Sequence, residues 1–294
     1  MFDTQRAAMI YNESTRYTGL GDSYHYTSID NADKILTYNG VDFRTTNIND
    51  FSDKTEGKAF GQFYISALER LLYERVIDFE TFNILSSVKP METHPFYAED
   101  RKLGCMVMKV KEYDTHVLCF TTDGNSRYME NNYIRGDGHQ GCVIKVRNGA
   151  FTECCGGLQK NSKRFVFKVM YGKEAVDNIY SYIKSILACG DINKDNLTKY
   201  VKPLIEMYLH RVMYCVKLEK YRQEKEVRII TFTPKEDKKA ECGKENSTVG
   251  KSYKHIELCK NSCLGVRVAG DFSNDNRGGV LNRLKERKYR LEHN

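Results

Sequence analysis

The chain has no tryptophan and only 4 prolines among 294 residues. With 21 glycines scattered and not periodic, a collagenous or low-complexity chain is excluded. No apolar run exceeds about six residues, far short of the ~20 needed to cross a bilayer as a helix. The opening MFDTQRAAMIYNESTRY lacks a basic region followed by an apolar core, so it does not read as a secretory signal. The ten cysteines are therefore expected to be reduced thiols in a cytoplasmic protein with no membrane partner. There is no paired C-x-x-C, P-loop, G-x-S-x-G elbow or H-E-x-x-H, which removes the commonest zinc, nucleotide-triphosphatase, α/β-hydrolase and metalloprotease signatures.

What is present is a chain rich in Tyr (20) and Phe (14), with 46 basic against 39 acidic residues and a net charge of +7. That balance suits a polyanionic partner, although most of the charge reads as a mixed, solvated surface. A length near 300 residues is enough to bury a large core without staples.

Residues 1–22 are weakly patterned and read as an N-terminal arm. Ser23 to Ser28 is β-rich, and Asp30 is a plausible cap for a helix over Asn31 to Tyr38, which Asn39-Gly40 would end. Val41 to Thr46 reads as a strand. Helical spacing of Phe60, Phe63, Leu68, Leu71 and Leu72 predicts one long helix from about Thr55 to Leu85. Four segments then read as strands: Met106 to Val110, Val117 to Thr121, Cys142 to Val146 and Phe165 to Met170. A helical hairpin at about 173–217 follows, with Pro203 near the start of its second helix. Val227 to Phe232 is a strong strand, Pro234 to Val249 a lysine-rich loop, Ile256 to Val268 one or two more strands, and 276–290 a basic terminal helix. The expected organisation is the arm plus one domain over 23–294, of α+β class.

Alternation places His25 and Thr27 on one face of the first strand. A neutral imidazole beside a hydroxyl can hold the hydroxyls of a ribose; a satisfied pair on a sheet face is the plainer alternative. Glu224 and Glu226, followed by Arg228, are read as sharing one face of a later strand. Two nearby carboxylates can divide labour by raising one pKa; solvated charges at a strand entry are the plainer alternative. Asp53 and Glu56 flank a predicted helix start, where Asp53 can serve as a cap. Gly136-Asp137-Gly138-His139-Gln140-Gly141 spells G-x-G-x-x-G, but a strand and not a helix follows it, so it is no dinucleotide fingerprint. Cys242, His255, Cys259 and Cys263 do not have standard zinc spacing, and no metal is expected.

Three blocks together resemble the domain-of-unknown-function 2971 family. They are His25-Tyr26-Thr27-Ser28 with Asn47-Ile48-Asn49-Asp50-Phe51, Asp53 and Glu56; Cys119-Phe120-Thr121 with Met129, Tyr133 and Gly141-Cys142-Val143-Ile144; and Lys217 with Tyr221 to Ile230. They stand in family order over about 23–270. Glu130 and Tyr221 stand where that family commonly has tryptophan. The chain is also similar to ADP-ribosyltransferases of the His-Tyr-Glu type, which open with a strand carrying H-x-[ST], matched here by His25, Thr27, Gly40 and Val41.

The resemblance implies a split mixed or antiparallel sheet of ADP-ribosyltransferase-like type with the helical hairpin inserted. It implies NAD as substrate, with His25, Tyr26, Thr27 and Tyr133 binding it. Glu226 would be the catalytic carboxylate, with Glu224 second, and Asp53, Glu56 and Arg228 would orient an acceptor. The implied activity is transfer of ADP-ribose to a macromolecule, a nucleic acid or a protein, or hydrolysis of NAD, in the manner of a toxin or phage-conflict protein. The alternative is a nucleotide- or nucleic-acid-binding module without chemistry.

Overall fold

In the computed structural model, residues 2–14, 21–48, 58–90, 93–100, 105–135, 141–147, 149–153, 163–234, 253–269 and 277–292 are described. The chain forms a mixed α+β structure, with one large sheet and a helical layer. In chain order the first elements are α1 (Thr4–Ser14), β1 (Ser23–Ser28), α2 (Ile29–Ile35), β2 (Gly40–Asn47), α3 (Lys58–Tyr73) and α4 (Phe79–Ser86). Next come β3 (Thr93–Asp100), β4 (Cys105–Thr121), α5 (Arg127–Glu130), β5 (Gly141–Val146), α6 (Ala150–Glu153), β6 (Lys163–Lys168) and β7 (Met170–Tyr171). Then follow α7 (Lys173–Leu187), α8 (Lys194–Asn196), α9 (Lys202–Val212), β8 (Val216–Lys217), β9 (Glu226–Pro234), β10 (Tyr253–Cys259), β11 (Cys263–Ala269), α10 (Arg277–Glu286) and β12 (Leu291–Glu292).

Several boundaries differ from the sequence reading, each for a local reason. Helix α2 is capped by Ser28, whose hydroxyl accepts the Asn31 amide, and not by Asp30. The long helix expected over 55–85 is two. It turns at Arg75, which takes φ 57°, and restarts where the Asp78 carboxylate caps α4 by accepting the Thr81 amide. The segments over 106–110 and 117–121 belong to one 17-residue strand, β4. The expected N-terminal arm is the docked helix α1: Ala7 and Tyr11 are buried, and the Asp3 amide donates to the Cys189 carbonyl at 2.8 Å. The hairpin is present as α7 and α9, and Pro203 lies one residue into α9, just after a π-helical turn, Leu197–Val201, that runs into it with helical backbone throughout.

Strand β4 organises the sheet. It pairs along Thr93–Asp100 with β3 and along Tyr113 to Thr121 with β9, both antiparallel. On its other side it meets β2 at His116 and Val117 and β1 only at Thr121. The sheet order is β10-β2-β4-β1-β5-β11-β12, with β6 on the far side of β9. Strands β1 and β2 thus both leave β4 and diverge, and α2 connects them.

Register decides which side chains share a face. Tyr24, Thr121 and Glu226 stand in one cross-strand row. Because direct partners share a face and neighbours along a strand alternate, Tyr26, Cys119, Glu226 and Arg228 lie on one face. His25, Thr27, Phe120 and Val227 lie on the other. Packing agrees: the His25 ring centroid is 5.2 Å from Phe43 and 5.3 Å from Phe120, in the cluster built on Val227 and Ile229. Tyr26 instead packs with Met129, Ile134 and Val143. The helical layer (α1, α3, α4, α7 and α9) has its own core, from Phe60 and Leu68 to Tyr208 and Val216.

Candidate active site

On the Glu226 face four charged side chains are buried together: Lys217, Glu224, Glu226 and Arg228, none more than 7% exposed. Burying four charges costs far more than leaving them in water unless each is paired, and here each is. The Lys217 ammonium donates to Glu224 Oε2 at 2.7 Å and contacts Glu226 Oε2 at 2.8 Å. Arg228 Nε donates to Glu226 Oε1 at 2.9 Å and Nη2 to Oε2 at 3.2 Å, while Nη1 donates to the Tyr214 carbonyl. The Cys119 thiol, opposite Arg228 in the β4–β9 ladder, also hydrogen-bonds the Glu226 carboxylate.

The chain builds this cluster from separate local structures. Strand β8 delivers Lys217. A 3₁₀ helix, Glu219–Glu224, ends with Lys225 in the left-handed region at φ 44° and ψ 47°. That reversal lets Glu224 and Glu226 both reach one ammonium, although only Glu226 lies in a strand. The expectation that the two glutamates share a strand face, as solvated charges or otherwise, is corrected here. The Glu226 amide donates to the Tyr171 hydroxyl at 2.8 Å. Gly172 takes φ 50°, a backbone conformation that residues with a Cβ rarely adopt, and its amide donates to the Lys217 carbonyl at 3.0 Å.

The two carboxylates titrate in opposite directions. Burial alone would raise Glu226, but the Arg228 and Lys217 charges outweigh it and hold the carboxyl at about 2. Burial raises Glu224, with Lys217 only partly opposing it. Burial and the Glu226 charge together push the Cys119 thiol well up, so it is a protonated donor. Glu226 is a permanent anion, fully engaged. Glu224 is the carboxyl with a weak outer partner: Tyr133, 51% exposed, points its hydroxyl at Oε1 from 3.5 Å. Tyr133 belongs to a π-helical turn, Asn131–Arg135, that continues α5.

The residues expected to bind one ligand separate into two groups. Glu224, Glu226 and Tyr133 come together. His25 and Thr27 are on the opposite face of the sheet from Glu226, so they do not line a common cleft with it. Tyr26 is on the Glu226 face, but its phenol donates to the Asp123 carbonyl and accepts the Ser126 amide, both at 2.9 Å. It fixes the turn before α5 and is no stacking platform. Arg228, 1% exposed, cannot touch an acceptor; it positions Glu226. Asp53, Glu56, Cys242 and residues 136–140 lie outside the described residues. His255 Nδ1 is 2.7 Å from Asp42, and no metal-binding cluster occurs among the described residues. Nor does any described helix have the length and apolarity to cross a membrane.

Lys217, the hub of the cluster, and Cys119 escaped the sequence reading as site residues. Both stand in the blocks that carried the resemblance, but nothing in local periodicity marks a lysine seven residues before a glutamate as its partner. No family model, curated protein or solved structure matches the chain.

Proposed function

We propose that the chain is an enzyme that breaks the glycosidic bond between nicotinamide and ribose in NAD, passing ADP-ribose to water or to a macromolecular acceptor, with Glu224 as the reacting carboxylate. The observation that carries this reading is the pair Glu224–Glu226 on one ammonium, with proton affinities pushed apart. Such a pair is how a site holds one fixed anion beside one proton-transferring group. Their Oε2 atoms are both within hydrogen-bond reach of Lys217 Nζ, at 2.7 and 2.8 Å, so the two carboxylates sit side by side at one point of the site.

In this scheme the C–N bond breaks and nicotinamide leaves with the electron pair, leaving positive charge on the ribose. Glu226, ionised at every pH near neutrality, stabilises that charge through the low-dielectric interior. Glu224 takes the proton from the attacking hydroxyl of water or acceptor, a new C–O bond forms, and the proton passes to solvent. Tyr133, half exposed, is the outer partner of Glu224, its hydroxyl 3.5 Å from Oε1. His25 and Thr27 have no part in it, and the arrangement in which they grip the riboses beside Glu226 is set aside.

The test is release of labelled nicotinamide from NAD by the full chain, with and without nucleic-acid and protein acceptors. Glu224→Gln is expected to lower turnover about 10²-fold or more with binding little changed, and His25→Ala to leave it within about twofold. A folded Glu224→Gln protein at full activity removes Glu224 from the mechanism. NAD bound without any nicotinamide release favours the non-catalytic binding module.

A further inference from the structure

Helices α2 and α10 pack together on the sheet face opposite Glu226, where Ala32, Ile35, Val280 and Leu284 join the core built on Val227 and Ile229. Beside them the turn from Thr37 to Gly40 carries Tyr38, a large aromatic residue that is nonetheless 63% exposed. The turn is fixed. The Thr37 amide donates to the Gly40 carbonyl at 2.9 Å, and the Tyr289 hydroxyl lies 2.9 and 2.7 Å from the Thr37 and Gly40 carbonyls. Arg287 Nη1 donates to the Asp33 and Leu36 carbonyls at 2.7 and 2.6 Å. Its guanidinium also lies 5.3 Å from the Tyr38 ring centroid. The ring therefore stands in solvent on an anchored cation and a pinned backbone, so little conformational freedom remains to be lost when something packs on it.

We infer that this surface binds single-stranded nucleic acid, with one base stacked on Tyr38 and the flanking phosphates met by the lysines around it. Lys34, Lys260, Lys285 and Lys288 stand in the segments that frame the turn. Lys34, Lys285 and Lys288 are exposed. Lys260 follows Cys259, the β10 partner of Gly40, and its ammonium is 5.3 Å from the Tyr289 ring centroid. None of the four forms an ion pair among the described residues, and the nearby acid Asp33 is already engaged by Arg283 and Arg287. Over residues 34–40, 259–261 and 283–290 the only acidic residue is Glu286. In a chain of net charge +7, that local excess attracts a polyanion and gains from the counterions its phosphates release.

The ring selects the class of polyanion. Lysines alone suit any chain of negative charges, but a tyrosine presented to solvent among them suits one whose units carry flat π-faces. In a single strand the bases are free to stack on an aromatic side chain, and every base has such a face. A duplex keeps its bases stacked inside and offers the ring only backbone. The surface lies across the sheet from Lys217, Glu224 and Glu226, so it is separate from the glutamate cluster and does not rest on the chemistry proposed there.

The experiment is fluorescence anisotropy of a labelled oligothymidylate of about 20 nucleotides, longer than a typical single-strand site, titrated with the full chain at several salt concentrations. Binding that weakens with salt is expected. Tyr38→Ala should weaken it about tenfold, the effect of losing one stacked base, and leave the salt slope unchanged. The double change Lys285→Ala and Lys288→Ala should instead lower the slope by about 1.4, since each phosphate contact on a single strand contributes ~0.7. All three positions are exposed, so melting temperatures are expected to match wild type. Glu224→Gln is expected to leave binding unaltered, whatever the nicotinamide-release assay shows. Four results each overturn the proposal: no binding at low salt, full affinity in Tyr38→Ala, a salt slope unmoved by the lysine changes, or binding lost in Glu224→Gln. Equal or tighter binding of a duplex, or of oligoglutamate, overturns it in favour of a surface for polyanions at large. Binding of anionic phospholipid vesicles in place of the oligonucleotide overturns it in favour of a membrane surface.

Discussion

Glu224 and Glu226 share a single ammonium, Lys217 Nζ, at 2.7 and 2.8 Å, yet the Glu226 carboxyl is pulled down to about 2 while burial raises that of Glu224. The difference is Arg228. It gives Glu226 two more hydrogen bonds and leaves Glu224 with burial, half of a lysine and a distant phenol.

That asymmetry predicts opposite pH dependences for two amide substitutions. Glu226 has a folded pKa near 2 against an ordinary 4.5. Its ionised form stabilises the fold above pH 4.5, and this contribution is lost as pH falls from 4.5 towards 2. The full span is of order 3 kcal/mol. Glu224 is raised, so its ionisation works against folding as pH climbs above its ordinary value. Urea unfolding at pH 3, 4.5 and 7 should show Glu226→Gln most destabilised at pH 7 and approaching wild type at pH 3. Glu224→Gln should improve relative to wild type as pH rises. A pH-independent difference in both contradicts the assignment.

Lys217→Met removes the shared cation and leaves two buried carboxylates with one guanidinium between them. Breaking a buried ionic cluster from one side costs about 3–5 kcal/mol, so a clear drop in urea midpoint is expected. Adding Glu224→Gln to it should recover part of the loss, because one uncompensated charge disappears. A loss under about 1 kcal/mol, or no recovery, shows that Lys217 does not hold the pair.

Helix α1 is predicted to be part of the folded unit. The Tyr11 ring is buried under the Arg211 guanidinium, 4.6 Å from its centroid, and packs into the core of the helical layer. Tyr11→Ala should cost about 3 kcal/mol, the ordinary penalty for emptying a buried aromatic site. A change below about 0.5 kcal/mol in denaturant unfolding indicates a dispensable arm.

The six cysteines whose side chains are described, Cys119, Cys142, Cys189, Cys215, Cys259 and Cys263, are all free. Titration of denatured, unreduced protein with a thiol reagent should find ten thiols, the number in the sequence. A deficit of an even number shows disulfides among the other four or between them and these, and excludes a wholly reduced chain.

Much of the fold was legible because it rests on local periodicity. Strand β5, read as Cys142 to Val146, and the strong β9 run show the β-branched and aromatic content that a buried sheet selects. The amphipathic α7 stands where helical spacing put it. The misread elements are those where a non-local partner overrides weak local pattern. Helix α1 is polar and poorly patterned by itself, and its burial comes from α7, α9 and Arg211. The break between α3 and α4 hangs on one left-handed residue and one capping carboxylate.

By itself the sequence determined that His25 and Thr27 share a face and that Glu226 and Arg228 share a face, since side chains alternate along any strand. It could not determine that these are opposite faces of one sheet. That is a matter of register across three strands, the row Tyr24–Thr121–Glu226, and a slip of one residue would have reversed it. Nor could spacing foretell that Lys217, Glu224 and Glu226 would meet, because their convergence depends on a short strand, a 3₁₀ turn and a left-handed lysine acting together. Tertiary structure put on two faces of one sheet residues that, read along the chain, looked like a single binding site.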